Sequence, residues 1–349
     1  MPVELNAYDY TLPHDLIATE PASPRDSARL FVYDTEHDTV TFDTFASLTK
    51  YVPKHAVMVF NDTKVIPARL HLKKVTGGRV EVLLSINEMR EGDTEVKGIV
   101  DKRIEPGAEL FFENGEYLRV IRQEEQYFFF KPSVSLPALI PLLLREGKTP
   151  IPPYIKHTPL GETALRARYQ SVLAREGTSI AAPTASLHFT SGVLDSLREH
   201  GIDRTVVTLH VGSGTFAPLR ESHFTENKLF TEYCAITEET ARLLNSALAI
   251  KRPIIAVGST SMRTLESFTN NHTVLSGEKG TSLFIHPPYE FQIASGLITN
   301  FHVPRSSLML MVDAFLEHKG AKRRILDLYD IAIKEKFRFY SFGDAMLIL

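Results

Sequence analysis

A change of pattern along the chain limits the folds that it can adopt. From about residue 62 to residue 133 the apolar residues recur with strand periodicity, and no segment with helix periodicity interrupts them. The segment ARLHLKKV (68–75) alternates apolar and polar residues, Gly77 and Gly78 follow, and RVEVLLSI (79–86) resumes the alternation, which predicts a β-hairpin. Further strand-like runs are ELFFEN (109–114), EYLRVIRQ (116–123) and EQYFFFK (125–131). We therefore predict a compact antiparallel β unit, for which a small barrel is one arrangement.

After this stretch the chain alternates between helices and strands. The strands are apolar throughout, as in RTVVTLHV (204–211) and PIIAVGS (253–259), which favours a largely parallel sheet covered on both faces. The first 60 residues carry two more such runs, which we assign to the same layer. We therefore predict an α/β fold in two parts. A main α/β domain comprises residues 1–61 and 150–349, and an inserted small antiparallel β-barrel domain comprises residues 62–149.

Composition narrows the class of protein further. The 349 residues correspond to about two domains. The formal net charge is −3, so a contact with nucleic acid must come from local basic patches. Cys234 is the single cysteine, which excludes a disulfide framework within the chain and a cysteine-based zinc site. The N-terminus does not resemble a secretory signal, and the apolar runs are too short to span a bilayer, so we expect a cytoplasmic protein without membrane contact.

Two glycine-rich segments follow predicted strands, where ligands bind in α/β folds. In LHVGSGTF (209–216), His210 lies next to the strand end, Gly212 and Gly214 would let backbone N–H groups approach a ligand, and Thr215 adds a hydroxyl. The alternative interpretation of this segment is a tight turn with a buried histidine.

In VGSTSMRTLES (257–267), Thr260 and Ser261 lie between a strand and a helix, which suits an anion or a carboxylate. Arg263 and Glu266 are three residues apart on that helix, so they could also simply pair with each other. Helix capping and ligand binding are equally good explanations of this pattern.

Two more strand ends carry histidines. His188 follows small residues in AAPTASLHF (181–189), and Asn300 and His302 alternate in TNFHVPRSS (299–307), so their side chains point to one face. Histidine suits proton transfer near neutral pH. Three histidines could also bind zinc, although their spacing is not that of a helical metal pair. The chain has no G-x-S-x-G elbow and no glycine-rich dinucleotide turn, which disfavours serine hydrolases, dehydrogenases and Rossmann methyltransferases.

Basic residues are concentrated in two segments. Residues 64–103 contain nine Lys and Arg against six Asp and Glu, and residues 318–338 contain seven against three. Charged surface helices are usually only solvated faces, because binding to a phosphate backbone needs several cations on one face. These patches alone therefore do not establish nucleic-acid binding.

Seven phrases of the sequence carry a family resemblance. They are VFNDTKVIPARL (59–70), TPIPPYI (149–155), AAPTASLHF (181–189), TLHVGSGTF (208–216), AVGSTSMRTLES (256–267), LITNFHVPRSSLMLMVDAF (297–315) and FYSFGDAMLI (339–348). In this order they resemble the S-adenosylmethionine:tRNA ribosyltransferase-isomerases of queuosine biosynthesis over nearly the whole chain. The resemblance implies a barrel-like α/β main domain with an inserted β-barrel, in agreement with the patterns above.

The resemblance also implies a reaction. The ribosyl group of S-adenosylmethionine is transferred to 7-aminomethyl-7-deazaguanine at the tRNA wobble position and isomerised, which gives epoxyqueuosine and releases adenine and methionine. S-adenosylmethionine is then a co-substrate, and neither a metal nor a bound cofactor is expected. The sulfonium acidifies the ribose C5′ protons, so a general base starts the reaction, and a general acid protonates the leaving adenine. We expect a monomer whose partners are the tRNA and S-adenosylmethionine.

Roles for individual residues follow from this resemblance. The candidate catalytic residues are His188, His210, His302 and Glu232. Gly212, Gly214 and Thr215 would bind S-adenosylmethionine, while Thr260, Ser261 and Arg263 would hold its carboxylate or an RNA phosphate. Asn300 would read a base edge, and Lys64, Arg69 and Arg338 would contact the tRNA backbone.

The chain departs from the family pattern at three places. The family's H-x-M-H-x-E-x-Y stretch is NKLFTEY (227–233) here, so that Asn227 and Phe230 replace two histidines while Glu232 and Tyr233 remain. His157 stands where the family has a basic residue, and GIVDKRIE (98–105) replaces an aromatic and basic run. The alternative hypothesis is therefore a non-catalytic or substrate-diverged relative that binds RNA or a nucleoside. A different S-adenosylmethionine-dependent enzyme acting on a small molecule is a third, weaker option.

Overall fold

The computed structural model describes residues 4–90, 92–175 and 177–349, with the backbone alone at residues 215 and 216. The described strands are β1 (Arg29–Asp34), β2 (Thr39–Thr44), β3 (Val57–Asn61), β4 (Arg69–Lys74), β5 (Arg79–Leu84), β6 (Val96–Val100), β7 (Glu109–Phe111), β8 (Tyr117–Glu124), β9 (Tyr127–Pro132), β10 (Asp203–His210), β11 (Lys228–Ile236), β12 (Ile254–Val257), β13 (Thr269–Asn270), β14 (Thr273–Val274), β15 (Gly277–Leu283), β16 (Gly296–Asn300) and β17 (Ala345–Ile348). The described α-helices are α1 (Leu136–Glu146), α2 (Glu162–Arg168), α3 (Ser191–Glu199), α4 (Glu221–Glu226), α5 (Glu238–Ala249), α6 (Ser259–Phe268), α7 (Ser307–His318) and α8 (Ile325–Lys334).

A nine-stranded mixed sheet forms the larger part of the molecule, in the order β15-β11-β10-β3-β12-β16-β17-β1-β2. Strands β10, β3, β12 and β16 are mutually parallel, and β1 is parallel to β17, whereas the other four pairings are antiparallel. The predicted α/β class is confirmed. The sheet is parallel at its four central strands and at β1–β17, whereas β2, β11, β15 and the β16–β17 pair add antiparallel neighbours, so the expectation of a largely parallel sheet holds only in part.

Both faces of this sheet are covered by apolar cores. Along β3, Val57 and Val59 belong to one core, with residues of α5 to α8, and Met58 and Phe60 belong to a second core that includes residues of α3. All four side chains are fully buried. Strand β3 is therefore apolar along its length because both of its faces are buried.

Strands β4 to β9 close into an antiparallel barrel in the order β4-β5-β6-β9-β8-β7. Its interior is a separate apolar core, to which α1 contributes Leu139 and Leu143. The predicted antiparallel barrel is confirmed, including the hairpins β4–β5 and β7–β8. The exact division into domains at residues 62 and 149 stays a prediction.

The chain enters and leaves the barrel through paired segments. Arg69 and Lys148 form an antiparallel bridge, with N–H···O distances of 3.3 Å and 2.7 Å in the two directions. Gly147 is packed so closely that a Cβ atom there would lie 1.8 Å from the carbonyl oxygen of Pro67. The Nη2 atom of Arg69 also donates to the carbonyl of Ile151 at 3.0 Å.

The sequence patterns predicted some elements incompletely. The pattern of ETALRARYQSVLAREG (162–177) predicts one helix, but α2 ends at Arg168, and Gln170 pairs its side-chain amide with the backbone of Val65 at 3.0 Å and 2.7 Å. Strands β6, β11 and β17 and helix α3 were not predicted. No described helix combines the length and the apolar character that crossing a membrane requires.

Candidate active site

A cleft, here called the main cleft, lies where the parallel strands β10, β12 and β16 end. It has a volume of about 860 Å³, including the solvent at its mouth. It is lined by the segments 181–185, 258–260, 299–303 and 340–341, and by single residues, among them Tyr154, Tyr169, Val211, Glu232, Arg263 and Leu308. The expectation that strand ends would form the site is therefore met in its geometry, since carboxyl ends of parallel strands share one edge.

Helix α6 begins at the wall of this cleft. Gly258 has φ +89° and ψ 157°, a conformation that favours glycine, and its N–H donates to Ile298 at 2.7 Å. The first amide groups of α6 therefore point towards the cleft from the end of β12. Thr260 also lines the cleft, and within the described residues its buried Oγ1 atom has no hydrogen-bond partner.

A buried ion pair between Arg263 and Glu232 crosses the floor of the cleft. Nη1 of Arg263 donates to Oε2 of Glu232, and Oε1 of Glu232 accepts the N–H of Gly212 at 2.9 Å. Side-chain exposure is 10% for the arginine and 6% for the glutamate. The pairing of Arg263 with Glu266 is therefore wrong. Glu266 accepts the N–H of Gln292 at 3.2 Å instead, and burial raises its pKa to about 7.

The guanidinium of Arg263 has unused donor capacity. Its Nε atom donates to the carbonyl of Leu283 at 3.2 Å, whereas Nη2 has no hydrogen-bond partner among the described residues. An unsatisfied donor on a buried charged group costs free energy. The main cleft therefore presents a donor that a negatively charged ligand can satisfy.

His302 is the histidine that lines the main cleft. Its Nε2 atom and Oγ1 of Thr299 are hydrogen-bonded at 2.8 Å, and its backbone N–H donates to the hydroxyl of Tyr329 at 2.7 Å. Burial lowers the pKa of His302 to about 3. The imidazole is therefore neutral at physiological pH.

His188 lies behind the cleft wall rather than in it. The Nδ2 amide of Asn300 donates to Nε2 of His188 at 3.3 Å, and Oδ1 of Asn300 accepts the hydroxyl of Thr184 at 2.9 Å. The His188 ring packs on Phe45 with centroids 5.1 Å apart. Burial, the largest influence, lowers the pKa of His188 to about 4. His188 therefore positions Asn300, whose carboxamide is held on both sides.

His210 is not part of the main cleft, which corrects the expectation that three imidazoles share one hollow. The next residue, Val211, lines the cleft, and alternation along the strand turns His210 to the other face. There Nδ1 of His210 and Oγ1 of Thr63 are hydrogen-bonded at 2.8 Å. The pKa of His210 is lowered, chiefly by burial.

The glycines of the 209–216 segment make room for the protein's own side chains. A Cβ atom at Gly212 would lie 2.9 Å from the Nδ2 atom of Asn87, and one at Gly214 would lie 2.5 Å from the Phe230 ring. Asn87 and Phe230 fill the space beside these glycines, but both glycines line a cavity next to Glu232, so the approach of a ligand to their backbone stays a prediction. The side chain of Thr215 lies outside the described part of the chain.

Three other predicted residues have internal roles. Ser261 is fully buried and does not line the cleft, since a helix turns about 100° per residue from Thr260. Arg69 pairs with Glu81 and donates to the carbonyl of Ile151, where the chain leaves the barrel. Arg338 donates to the buried carboxylate of Asp344 at 3.0 Å and 3.2 Å. Arg69 and Arg338 are engaged within the fold, whereas Lys64 is exposed.

Two smaller cavities adjoin the main cleft. The apolar pocket is lined by Leu219, His223, Leu229, Phe230, Ile285 and Met311, together with Glu232 and Arg263. The second cavity, here called the barrel gap, lies between Glu88, Lys97 and Tyr127 on one side and Gly212, Thr231 and Glu232 on the other. Glu232 lines all three cavities, so its carboxylate lies where they meet.

Sequence reasoning missed the aromatic wall of the main cleft. Tyr154 and Tyr340 pack with ring centroids 4.8 Å apart, and the hydroxyl of Tyr154 is bonded to Oγ of Ser341 at 2.5 Å. The hydroxyl of Tyr169 lines the same cleft and has no hydrogen-bond partner among the described residues. The phrases TPIPPYI and FYSFGD contain two of these tyrosines, but no periodicity indicated that they meet.

No group of three or more His, Cys, Asp or Glu side chains with a geometry suited to a metal ion occurs in the described ranges. Cys234 is buried, and burial raises the pKa of its thiol to about 11. The predicted site is thus built from one ion pair, one neutral imidazole, hydroxyl groups and aromatic rings.

Comparison with known proteins identifies the family. The family described as queuosine biosynthesis protein matches residues 5–348. A S-adenosylmethionine:tRNA ribosyltransferase-isomerase of Rubrobacter xylanophilus is 42% identical over 98% of this chain and 96% of its own. The enzyme of the same name from Moorella thermoacetica is 42% identical over 99% of this chain and all of its own. The chain belongs to the queuosine biosynthesis protein family. The crystal structure of S-adenosylmethionine tRNA ribosyltransferase from Thermotoga maritima covers 98% of this chain and 99% of its own, with a TM-score of 0.53 and 29% identity.

In this member of the enzyme family, Glu232 forms its buried ion pair with Arg263 although Asn227 and Phe230, in the same segment, depart from the family pattern. Asn227 ends helix α4 in the left-handed conformation, with φ 51°, and its Oδ1 atom is bonded to Nε2 of His286 at 3.0 Å. Phe230 packs edge-on against His223, with centroids 5.2 Å apart. Neither residue lines the main cleft.

Proposed function

We propose that this chain transfers and isomerises the ribosyl group of S-adenosylmethionine onto 7-aminomethyl-7-deazaguanine at the wobble position of tRNA. The product is epoxyqueuosine, and adenine and methionine are released. The names of the full-length relatives support the activity. Within the chain, the single observation that carries the proposal is the unsatisfied Nη2 donor of Arg263 in a cleft with an aromatic wall.

S-adenosylmethionine fits the main cleft by its chemistry. The rings of Tyr154 and Tyr340 offer an apolar surface for adenine, and the hydroxyl of Tyr169 is free to hydrogen-bond to the nucleoside. Arg263 Nη2 and the first amides of α6 would bind the methionine carboxylate. We favour this carboxylate over an RNA phosphate because Arg263 is only 9% exposed, which a small ligand can reach more easily than a polyanion backbone.

Glu232 is the general base in this proposal. Among the described residues that line the main cleft it is the one carboxylate, and it lies where the three cavities meet. It would remove the C5′ proton that the sulfonium acidifies, and would return that proton to the leaving adenine. The amine nitrogen of the modified base bonds to the ribosyl carbon skeleton and releases one of its own protons to solvent, while the glycosidic bond to adenine and the C5′–S bond to methionine break.

His302 hydrogen-bonds to the substrate rather than moving a proton, because an imidazole whose pKa is about 3 is neutral and weakly basic. Asn300 is held by Thr184 and His188 in an orientation suited to a base or ribose edge. Of the predicted histidines, His188 therefore acts as a positioning residue for Asn300.

The reaction uses S-adenosylmethionine as a co-substrate, since a sulfonium supplies both the acidity of C5′ and the leaving group. Adenine release should therefore persist in EDTA, and its loss would indicate a metal requirement. We further propose a monomer that acts in the cytoplasm, where its tRNA substrate is found. Size-exclusion chromatography with light scattering tests the oligomeric state.

The proposed function is tested by incubating the chain with S-adenosylmethionine and a tRNA transcript that carries the aminomethyl-deazaguanine. The expected result is stoichiometric adenine and methionine with a matching gain of tRNA mass. A transcript with ordinary guanine at the wobble position is the control and should release no adenine. Absence of adenine with the modified transcript, from a folded protein that binds both substrates, would refute the catalytic proposal in favour of a non-catalytic relative.

A further inference from the structure

An exposed set of planar side chains, here called the stacking surface, lies where β10 and β11 meet the barrel. His210 and Tyr233 are cross-strand partners of these antiparallel strands, with ring planes 9° apart and centroids separated by 6.2 Å. The guanidinium of Arg90 lies 4.9 Å from the centroid of the Tyr233 ring. Arg90 is exposed and both rings are half-buried, and Gly177 packs against the imidazole of His210.

Hydrogen bonds fix each member of the stacking surface. Tyr233 donates its hydroxyl to Glu278, and Arg90 donates to the carbonyls of Asn87 and Met89 at 3.2 Å and 3.0 Å. His210 is bonded to Thr63, as described above. Because the rotamers are already restricted, a ligand that stacks here loses little affinity to ordering the protein.

Charged side chains of both signs surround the stacking surface. Lys64 directly follows Thr63, and Arg175 donates its backbone N–H to the carbonyl of Asp62 at 3.0 Å. Both side chains are exposed. The carboxylate of Asp62 is occupied by the hydroxyl of Thr208 at 2.8 Å. Arg90 is the cation that lies against the Tyr233 ring, and the carboxylates of Asp62 and Glu278 also lie close to the two rings.

The stacking surface also adjoins a route to the main cleft. Thr231, two residues before Tyr233 on β11, lines the barrel gap. Arg90 follows the segment that contains Glu88, which lines the same gap. The gap ends at Glu232, where the main cleft begins. A nucleotide drawn into the gap would leave its neighbours at the stacking surface.

We propose that Tyr233, with His210 and Arg90, stacks an unpaired base of the RNA loop that neighbours the target nucleotide, while the target enters through the barrel gap. This inference rests on the proposed function only for the identity of the RNA. Proteins that bind single-stranded RNA combine such aromatic and guanidinium surfaces with a cationic rim. His210, expected from the sequence to be catalytic, has a binding role here.

The test is the affinity for a tRNA transcript, measured in Tyr233→Ala, Tyr233→Phe and a matched control, Phe42→Ala. Phe42 is a 38% exposed aromatic residue on β2, at the opposite end of the sheet. Tyr233→Ala should raise the Kd for tRNA by roughly 5- to 150-fold, the range for losing one base–aromatic stack. Tyr233→Phe and Phe42→Ala should bind as the wild type does, and the Kd for S-adenosylmethionine should stay constant in all three.

Salt dependence separates stacking from charge. Tyr233→Ala should leave the slope of log Kd against log salt unchanged, whereas Lys64→Ala should reduce it. Wild-type tRNA affinity in Tyr233→Ala would overturn the proposal. A loss of tRNA affinity in Tyr233→Phe as large as that in Tyr233→Ala would also overturn it, because the effect would then come from the hydroxyl bond with Glu278 and not from the ring. Binding is measured without turnover, so a failure of adenine release would leave this result intact and would refute the proposed function alone.

Discussion

Replacing Arg263 with lysine tests the most specific contact that the main cleft offers a ligand. Lysine keeps a cation opposite Glu232 but removes the planar fork, and with it the Nη2 donor that has no partner in the described part of the protein. A hydrogen bond between charged groups contributes about 1.5–3 kcal/mol, so the Kd for S-adenosylmethionine should rise about 10- to 150-fold. Isothermal titration calorimetry at fixed ionic strength measures this change.

Decarboxylated S-adenosylmethionine is the matched ligand, because it lacks only the carboxylate that Arg263 would bind. Its Kd should change less than about threefold between wild type and Arg263→Lys. Arg263→Met is the stability control, since it leaves the Glu232 carboxylate buried without its cation and should lower the free energy of unfolding by about 3–5 kcal/mol. An equal loss of affinity for both ligands in Arg263→Lys, or no loss for either, would show that the carboxylate is bound elsewhere.

Two further predictions concern folding. The free energy of unfolding in urea should fall between pH 7.5 and pH 5.0, because burial holds the pKa of His188 near 4 and of His302 near 3 while the unfolded imidazoles, with a pKa of about 6.5, bind protons. His188→Gln should flatten this dependence, and an unchanged dependence would argue against neutral burial. Gly214→Ala should cost about 1–3 kcal/mol by displacing Phe230, and adding Phe230→Ala should recover most of it, whereas strictly additive losses would contradict the packing.

Local sequence patterns predicted the fold class and the edge of the sheet that carries the cleft. The Gly-Gly hairpin and the apolar strands have short-range causes, namely turn chemistry and burial on both faces, so they are visible in the sequence. Asn300 and His302 both line the cleft, as do Thr299, Phe301 and Val303, because the end of β16 forms its wall. Period-2 alternation separates His210 from Val211, and applying it to that strand end would have avoided the error.

Other features depend on contacts that no local pattern encodes. Arg263 pairs with Glu232, 31 residues away, because α6 packs below β11, whereas the nearby Glu266 is used elsewhere. Arg69 similarly pairs with Glu81 across a hairpin, and its contact with RNA stays a prediction. The space beside Gly214 is filled by Phe230 from a neighbouring strand. Sequence spacing identifies such residues as candidates but does not decide their partners.

The bridge between Arg69 and Lys148 has a consequence for how this molecule could have been assembled. Residues paired across an antiparallel bridge have Cα atoms roughly 4.5–5.5 Å apart, about the distance that a tight turn spans. The intervening segment of about 80 residues can thus be regarded as the expansion of a single turn whose two ends meet at this bridge. Its removal or exchange would leave the ends of the host chain already positioned to be rejoined, which is the arrangement that gene insertion and grafting tolerate best.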